Sequence, residues 1–262
     1  LFHGSAPVWF EQAGGFLKRD NVKFFAEYVR QMVPRMKDLV DSFHVINEFN
    51  LSGGKDLAEL ALLHKHYLLA HAAGYHIIKE VAAVPVSTAH ALLAPTPEHP
   101  HDQGDVLTAS LVDWLRNEFF FHAIRTGEIV SPFSDAETVP EVKGALDYWA
   151  VNYYCRAIIS SRRAEPALLS KAERLKMIDK DFYLENIYPA GLVSNLVRLA
   201  DKPVYITENG ISADDDRWRI LKLATDLAAA AEAVEKGVDV RGYFHWSLVD
   251  NYEWTSFVPR FG

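Results

Sequence analysis

From Asn21 to Leu39 apolar side chains recur at Phe24, Phe25, Tyr28, Val29, Met32, Val33 and Met36, a spacing that predicts a helix with Asp20 or Asn21 as its N-cap. The next run, Phe43 to Asn47, is continuously apolar or β-prone and reads as a buried strand. A long helix follows from about Asp56 to Val81, then a short strand from Ala83 to Thr88. Ala89 to Asp105 is rich in proline, histidine and aspartate and reads as a loop. Thr108 to Thr126 is helical, with Gly127 as its stop. Ala145 to Tyr154 reads as a strand, Ser160 to Tyr188 as a loop, and Ala190 to Ala200 as a helix. Pro203 to Thr207 is a strand, Asp215 to Lys236 a helix, and Gly242 to Leu248 the last strand. With Leu1 to His3 as the tail of a further strand, about six strands alternate with helices, the signature of an α/β protein with a parallel sheet. No repeat or linker interrupts this order, so residues 1–262 read as one domain. A closed barrel leaves no sheet edge uncovered. Its usual form has about eight strands, so either two strands lie outside this sequence or the sheet is open.

Two glutamates end strand-like runs: Glu48 after Phe43-His44-Val45-Ile46-Asn47, and Glu208 after Pro203-Val204-Tyr205-Ile206-Thr207. Glutamate is depleted in strands and is rarely buried without a partner. Parallel barrels set their reactive groups at these strand ends. A pair of carboxylates is also the apparatus of glycoside hydrolysis, one as acid/base and the other as nucleophile or base.

Composition narrows the partners. A formal net charge of −8 argues against nucleic acid or an anionic membrane surface, and 49% hydrophobic with 24% charged residues describes a soluble globular chain. No stretch approaches the roughly 18 apolar residues of a membrane span. The single cysteine, Cys155, excludes an internal disulfide framework and leans toward a reducing, cytoplasmic setting. It reads as a small packed residue rather than a nucleophile. His64, His66, His71 and His76 share a helix without a His-Glu-x-x-His pattern, so no metal is expected there, and His99 and His101 read as solvated. Asp214-Asp215-Asp216 read as acidic first-turn residues of a helix. No glycine-rich phosphate loop follows a strand, and no cofactor is expected.

Four motifs occur in order: Asn47-Glu48, Asn152-Tyr153-Tyr154, Ile206-Thr207-Glu208-Asn209-Gly210, and Trp246-Ser247-Leu248-Val249-Asp250-Asn251-Tyr252-Glu253-Trp254. Together they resemble the family 1 glycoside hydrolases, the β-glucosidase and β-galactosidase group. Arg156 after Asn152-Tyr153-Tyr154, and Gly242-Tyr243-Phe244-His245-Trp246-Ser247, look most like the archaeal-type β-glycosidases of that family. The resemblance implies an α/β fold of the (β/α)8 TIM-barrel type, with about six of eight strands visible and the first two outside the sequence. It implies a retaining exo-β-glycosidase that takes terminal β-linked sugars from small glycosides or short oligosaccharides. Glu48 would be the acid/base and Glu208 the nucleophile. Asn47 would hold the sugar 2-hydroxyl, Asn152 belongs to the same substrate-binding set, and Tyr154 would hydrogen-bond the nucleophile. His3 would contact a sugar hydroxyl, Trp246 would lie under the ring, and Glu253 with Trp254 would read the far hydroxyls. The resemblance leaves a homo-oligomer open.

Phe49 stands where the family usually has proline after the acid/base, and Gly4 where it usually has a large aromatic after the histidine. A sugar-binding glutamine and an arginine near the nucleophile, expected on the first two strands, are not seen. Two rival readings follow: an inactive sugar-binding or structural barrel fragment, and a 6-phospho-β-glycosidase. Against the second, Glu253-Trp254 puts a negative charge where that branch binds phosphate.

Overall fold

The computed structural model describes residues 1–162, 187–253 and 256–262. Among the described residues its principal sheet has five strands in the order β1-β2-β5-β6-β7: β1 (Phe43–Asn47), β2 (Val86–Pro97), β5 (Trp149–Ile159), β6 (Val204–Asn209) and β7 (Val240–His245). A separate hairpin pairs β3 (Glu128–Ser131) with β4 (Ser134–Thr138). Phe2 adds an isolated parallel bridge to Ile46 of β1, as the strand tail read at Leu1 to His3 requires. Parallel neighbours cannot be joined by a tight turn. The β1–β2 and β6–β7 pairs are accordingly parallel and each bridged by a helix: α3 (Leu57–Val81) and α7 (Asp216–Glu235).

The chain forms two compact units, residues 1–90 with 115–149 and residues 91–114 with 150–262. In the first, α2 (Val22–Met36) packs against α3. Asp56 caps α3 by accepting the Glu59 N–H at 2.8 Å. The core of this unit is aromatic. Phe2, Phe16, Phe25 and Tyr67 meet mostly edge-on, and Phe49, His90, Phe120, Phe121 and Trp149 form a second group. A short α1 (Val8–Gln12) lies between Phe2 and Phe16 in the chain. In the second unit α6 (Pro189–Arg198) packs on α7, with Leu192, Leu196, Val204, Ile206 and Ala233 fully buried.

Several elements differ from their expected form. Asn21 holds the N-cap position of α2 as expected, but its side chain makes no capping bond; its amide donates instead to the Ala13 and Gly15 carbonyls, and a short 3-10 turn leads into the helix. The strand expected at Ala83 to Thr88 starts at Val86 and runs to Pro97, through residues read as loop. It is buried on both faces over its first seven residues, so no polar alternation marks it, and its prolines fall where the ladder ends. The helix expected from Thr108 begins earlier as α4 (Gln103–Asp113), passes through a π-helical turn at Trp114–Glu118, and continues as α5 (Phe119–Thr126). Gly127, at φ 80°, ends it as expected. β5 begins four residues after the expected Ala145 and extends to Ile159, and β7 stops before Trp246. The expected loop from Ser160 to Tyr188 lies largely outside the described residues.

Candidate active site

The first unit carries His3, Asn47 and Glu48. Asn47 is the last residue of β1, and its amide nitrogen lies 3.3 Å from His3 Nε2, which the Phe2 bridge brings alongside. Glu48 follows with φ 51° and ψ 40°, the one positive φ outside glycine among the described residues. Such a conformation costs a non-glycine residue about 1–3 kcal/mol and is held only by its surroundings. Here the Glu48 N–H donates to the Ala89 carbonyl at 2.8 Å, and the chain then enters a 3-10 turn at Phe49–Leu51. Phe49, 2% exposed, fills the ring of His64, Tyr67, His90 and Phe120. The residue in the usual proline position is therefore a core anchor.

The second unit carries Asn152, Tyr154, Glu208, Trp246 and Glu253. The β6–β7 register shifts between Ile206 and Asn209, and Glu208 lies in that irregular stretch. Such irregularities re-aim side chains. Asn209 points into the core while Glu208 stays half-buried. The Tyr154 hydroxyl donates to Glu208 Oε2 at 2.7 Å, and the Asn152 side chain supplies a second hydrogen bond. Thr207 Oγ1 donates to Asn152 Oδ1 at 2.7 Å, which directs the Asn152 amide nitrogen elsewhere. Burial pushes the Glu208 carboxyl above the usual carboxylate range and the Glu253 charge pushes the same way, while the Tyr154 and Asn152 bonds oppose them. Glu253 itself accepts the Trp246 indole N–H at 2.7 Å. Trp254 lies outside the described residues.

Gly210 explains the close of this motif. A Cβ built there would sit 1.9 Å from the Trp246 carbonyl oxygen, so only glycine lets β6 and the segment after β7 approach so closely. Gly210→Ala should separate these segments and lower stability by about 3 kcal/mol, the upper end for overpacking. Urea denaturation of the pair reads this directly, and an unchanged midpoint contradicts the close approach.

Three histidines of α3 bond separately to oxygens. His66 reaches the Phe16 carbonyl, His71 the Ala145 carbonyl and the Thr88 hydroxyl, and His76 the Glu141 carbonyl. Ligand atoms of Glu98, His99 and Asp105 lie within 4.8 Å of one another. Both Asp105 oxygens are nevertheless engaged, one by Ser161 and the other by His99. Burial pushes the Cys155 thiol up to about 12, which leaves it a packed residue. Of the three acids expected in the first turn of α7, Asp216 lies there, whereas Asp215 is the N-cap and accepts the Arg217 N–H at 2.9 Å.

Sequence reasoning missed the left-handed Glu48 and the pairing of Asn50 with Arg116. Neither the glycine nor the asparagine that usually marks such a backbone is present at Glu48.

A sequence profile described as "Glycosyl hydrolase family 1" matches residues 1–262. The chain is 30% identical to a beta-galactosidase of Sulfolobus acidocaldarius, covering 100% of this chain and 60% of that protein. It is 26% identical to a 6-phospho-beta-galactosidase of Streptococcus equi subsp. zooepidemicus, covering 100% of this chain and 69% of that one. Among solved structures, a beta-glycosidase from Pyrococcus horikoshii superposes with a TM-score of 0.76 at 28% identity, over 100% of this chain and 64% of the other. The chain thus spans about 60% of the length of the first curated relatives it matches. No described helix is long and apolar enough to cross a membrane.

Proposed function

The chain belongs to glycosyl hydrolase family 1, and its five-stranded sheet forms part of that family's (β/α)8-type fold; from this we propose that it serves a retaining exo-β-glycosidase. The substrates would be β-glucosides, β-galactosides or short β-linked oligosaccharides. The observation that carries the reading is the Glu208 carboxylate, held at its strand end by the Tyr154 hydroxyl at 2.7 Å. Glu208 attacks the anomeric carbon while Glu48 gives its proton to the departing oxygen, leaving a glycosyl ester on Glu208. Glu48 then takes a proton from water, which attacks the anomeric carbon and frees the sugar and the Glu208 carboxylate. Asn47 and His3 would bind sugar hydroxyls beside Glu48. Asn152 would serve the same site, Trp246 would lie under the ring, and Glu253 with Trp254 would bind the far hydroxyls.

A 6-phospho sugar is the competing substrate, favoured by the name of the Streptococcus relative. Glu253 speaks for the unphosphorylated sugar, because its carboxylate would repel a phosphate. A cytoplasmic setting fits the single cysteine, Cys155. The test is intact mass before and after incubation with an activated 2-deoxy-2-fluoro-β-glucoside, its galactoside and the 6-phospho-galactoside. One added fluoroglycosyl unit, mapped to Glu208, is expected from an unphosphorylated reagent. Labelling by the phosphorylated reagent alone would reverse the substrate choice, and labelling elsewhere would remove Glu208 from the role.

A further inference from the structure

The 3-10 turn that follows Glu48 is clasped by one buried arginine. Arg116 Nη1 donates to the Asn50 carbonyl and, at 3.1 Å, to the Ser52 carbonyl. Asn50 returns the contact, its Nδ2 donating to the Arg116 carbonyl at 2.8 Å while lying 3.3 Å from His90 Nε2. Each side chain thus holds the other's backbone, and each is 1% exposed. A guanidinium withdrawn from water this far is costly unless its donors are engaged. Here Nη1 engages two carbonyls of the segment that turns the chain away from Glu48. Arg116 sits in the π-helical turn at Trp114–Glu118, a helix irregularity that occurs often at functional sites.

Resting on the reading of Glu48 as acid/base, we infer that Arg116 is a positioning residue for it: with Asn50 it fixes the turn that keeps Glu48 in its left-handed backbone conformation. The Ala89 carbonyl holds Glu48 from the strand side, and Arg116 holds the chain two and four residues later. Phe49 anchors the intervening step in the aromatic core. The carboxyl is thereby aimed by three contacts outside the reacting groups. Loss of the clasp releases the backbone of Glu48 without altering Glu208 or the residues that hold it.

A misplaced acid has a signature that general destabilisation lacks. A dinitrophenolate departs without protonation, whereas a simple alkoxide does not. The full chain with Arg116→Met, and the milder Arg116→Lys and Asn50→Ser, would be assayed on methyl β-glucoside and on 2,4-dinitrophenyl β-glucoside with saturating azide. Misplacement by about an ångström costs on the order of 10²-fold. That loss is expected for the methyl glycoside, with cleavage of the dinitrophenyl glycoside to glycosyl azide nearly unchanged. Equal losses on both substrates, or none on either in any variant that folds, overturn the clasp. If the unaltered protein cleaves neither substrate, the glycosidase reading falls, and hydrogen exchange at the Glu48 and Leu51 amides decides the clasp. Both amides should exchange faster in Arg116→Met than its change in overall stability accounts for, and unchanged exchange overturns the proposal.

Discussion

Glu208→Gln is expected to lower kcat by about 10⁴-fold or more, as removal of a nucleophile does elsewhere, while leaving the protein at least as stable near neutral pH. The two halves of this expectation share a cause. Burial and the Glu253 charge raise the Glu208 carboxyl above its ordinary range. A carboxyl whose folded pKa is raised contributes stability through its proton below its unfolded value, about 4. That contribution is lost as pH rises through the folded value. At neutral pH the ionised Glu208 therefore burdens the fold, and a neutral amide of the same shape does not. The stability difference should vanish toward pH 4 and open above it, measured by urea denaturation across pH. The neighbours should move the acid limb of kcat/KM in opposite directions. Tyr154→Phe removes a bond to the carboxylate and shifts the limb to higher pH; Glu253→Gln removes a like charge and shifts it lower. Retained turnover in Glu208→Gln, or limbs moving together, would sink the assignment of Glu208.

Why some of this was legible and some not comes down to what each residue advertises. β1 and α3 were read nearly to the residue, because β1 is a pure β-prone run and Asp56 signals the start of α3. Glu48 and Glu208 stood out because a charged residue at the end of an apolar strand has few structural excuses. The far half of β2 was hidden because a doubly buried strand has no period of two, and Pro95 and Pro97 read as loop punctuation. The β3–β4 hairpin was not foreseen. Its strands are short, the second is mostly exposed, and Pro132-Phe133 between them lacks the glycine or asparagine of a tight hairpin turn. Arg116 was invisible for another reason. Nothing along the chain distinguishes an arginine that will cross to residues 66 positions away from one that will face water.

The same limit applies to Lys222 and Asp226, which look like an ordinary exposed i,i+4 pair on a helix and prove 1% and 0% exposed. Lys222 Nζ bonds Asp226 Oδ2 and lies 5.2 Å from the centre of the Tyr153 ring. Asp226 Oδ2 also accepts the Asn209 amide at 2.7 Å, and Asn209 Oδ1 accepts the Tyr243 hydroxyl at 2.6 Å. Asn209 in turn donates to the Tyr153 carbonyl at 2.7 Å, tying β6 to β5 one residue beyond Glu208. Breaking such a pair leaves a lone buried charge, which costs about 3–5 kcal/mol, whereas removing both charges can be nearly neutral. Lys222→Met alone should therefore lower the melting temperature by on the order of 10 °C. Asp226→Asn alone should do much the same, because the lysine then keeps its charge without a carboxylate. Lys222→Met with Asp226→Asn should recover most of the loss, since the asparagine still offers Asn209 an acceptor and no charge remains. A double-mutant cycle by urea denaturation measures the coupling, and simple additivity of the two losses would show that the pair does not act as a unit. Because the double variant keeps the acceptor to Asn209, it should also keep the acid limb of kcat/KM in place. The ion pair then acts on the strand beneath Glu208, not on the carboxyl's ionisation.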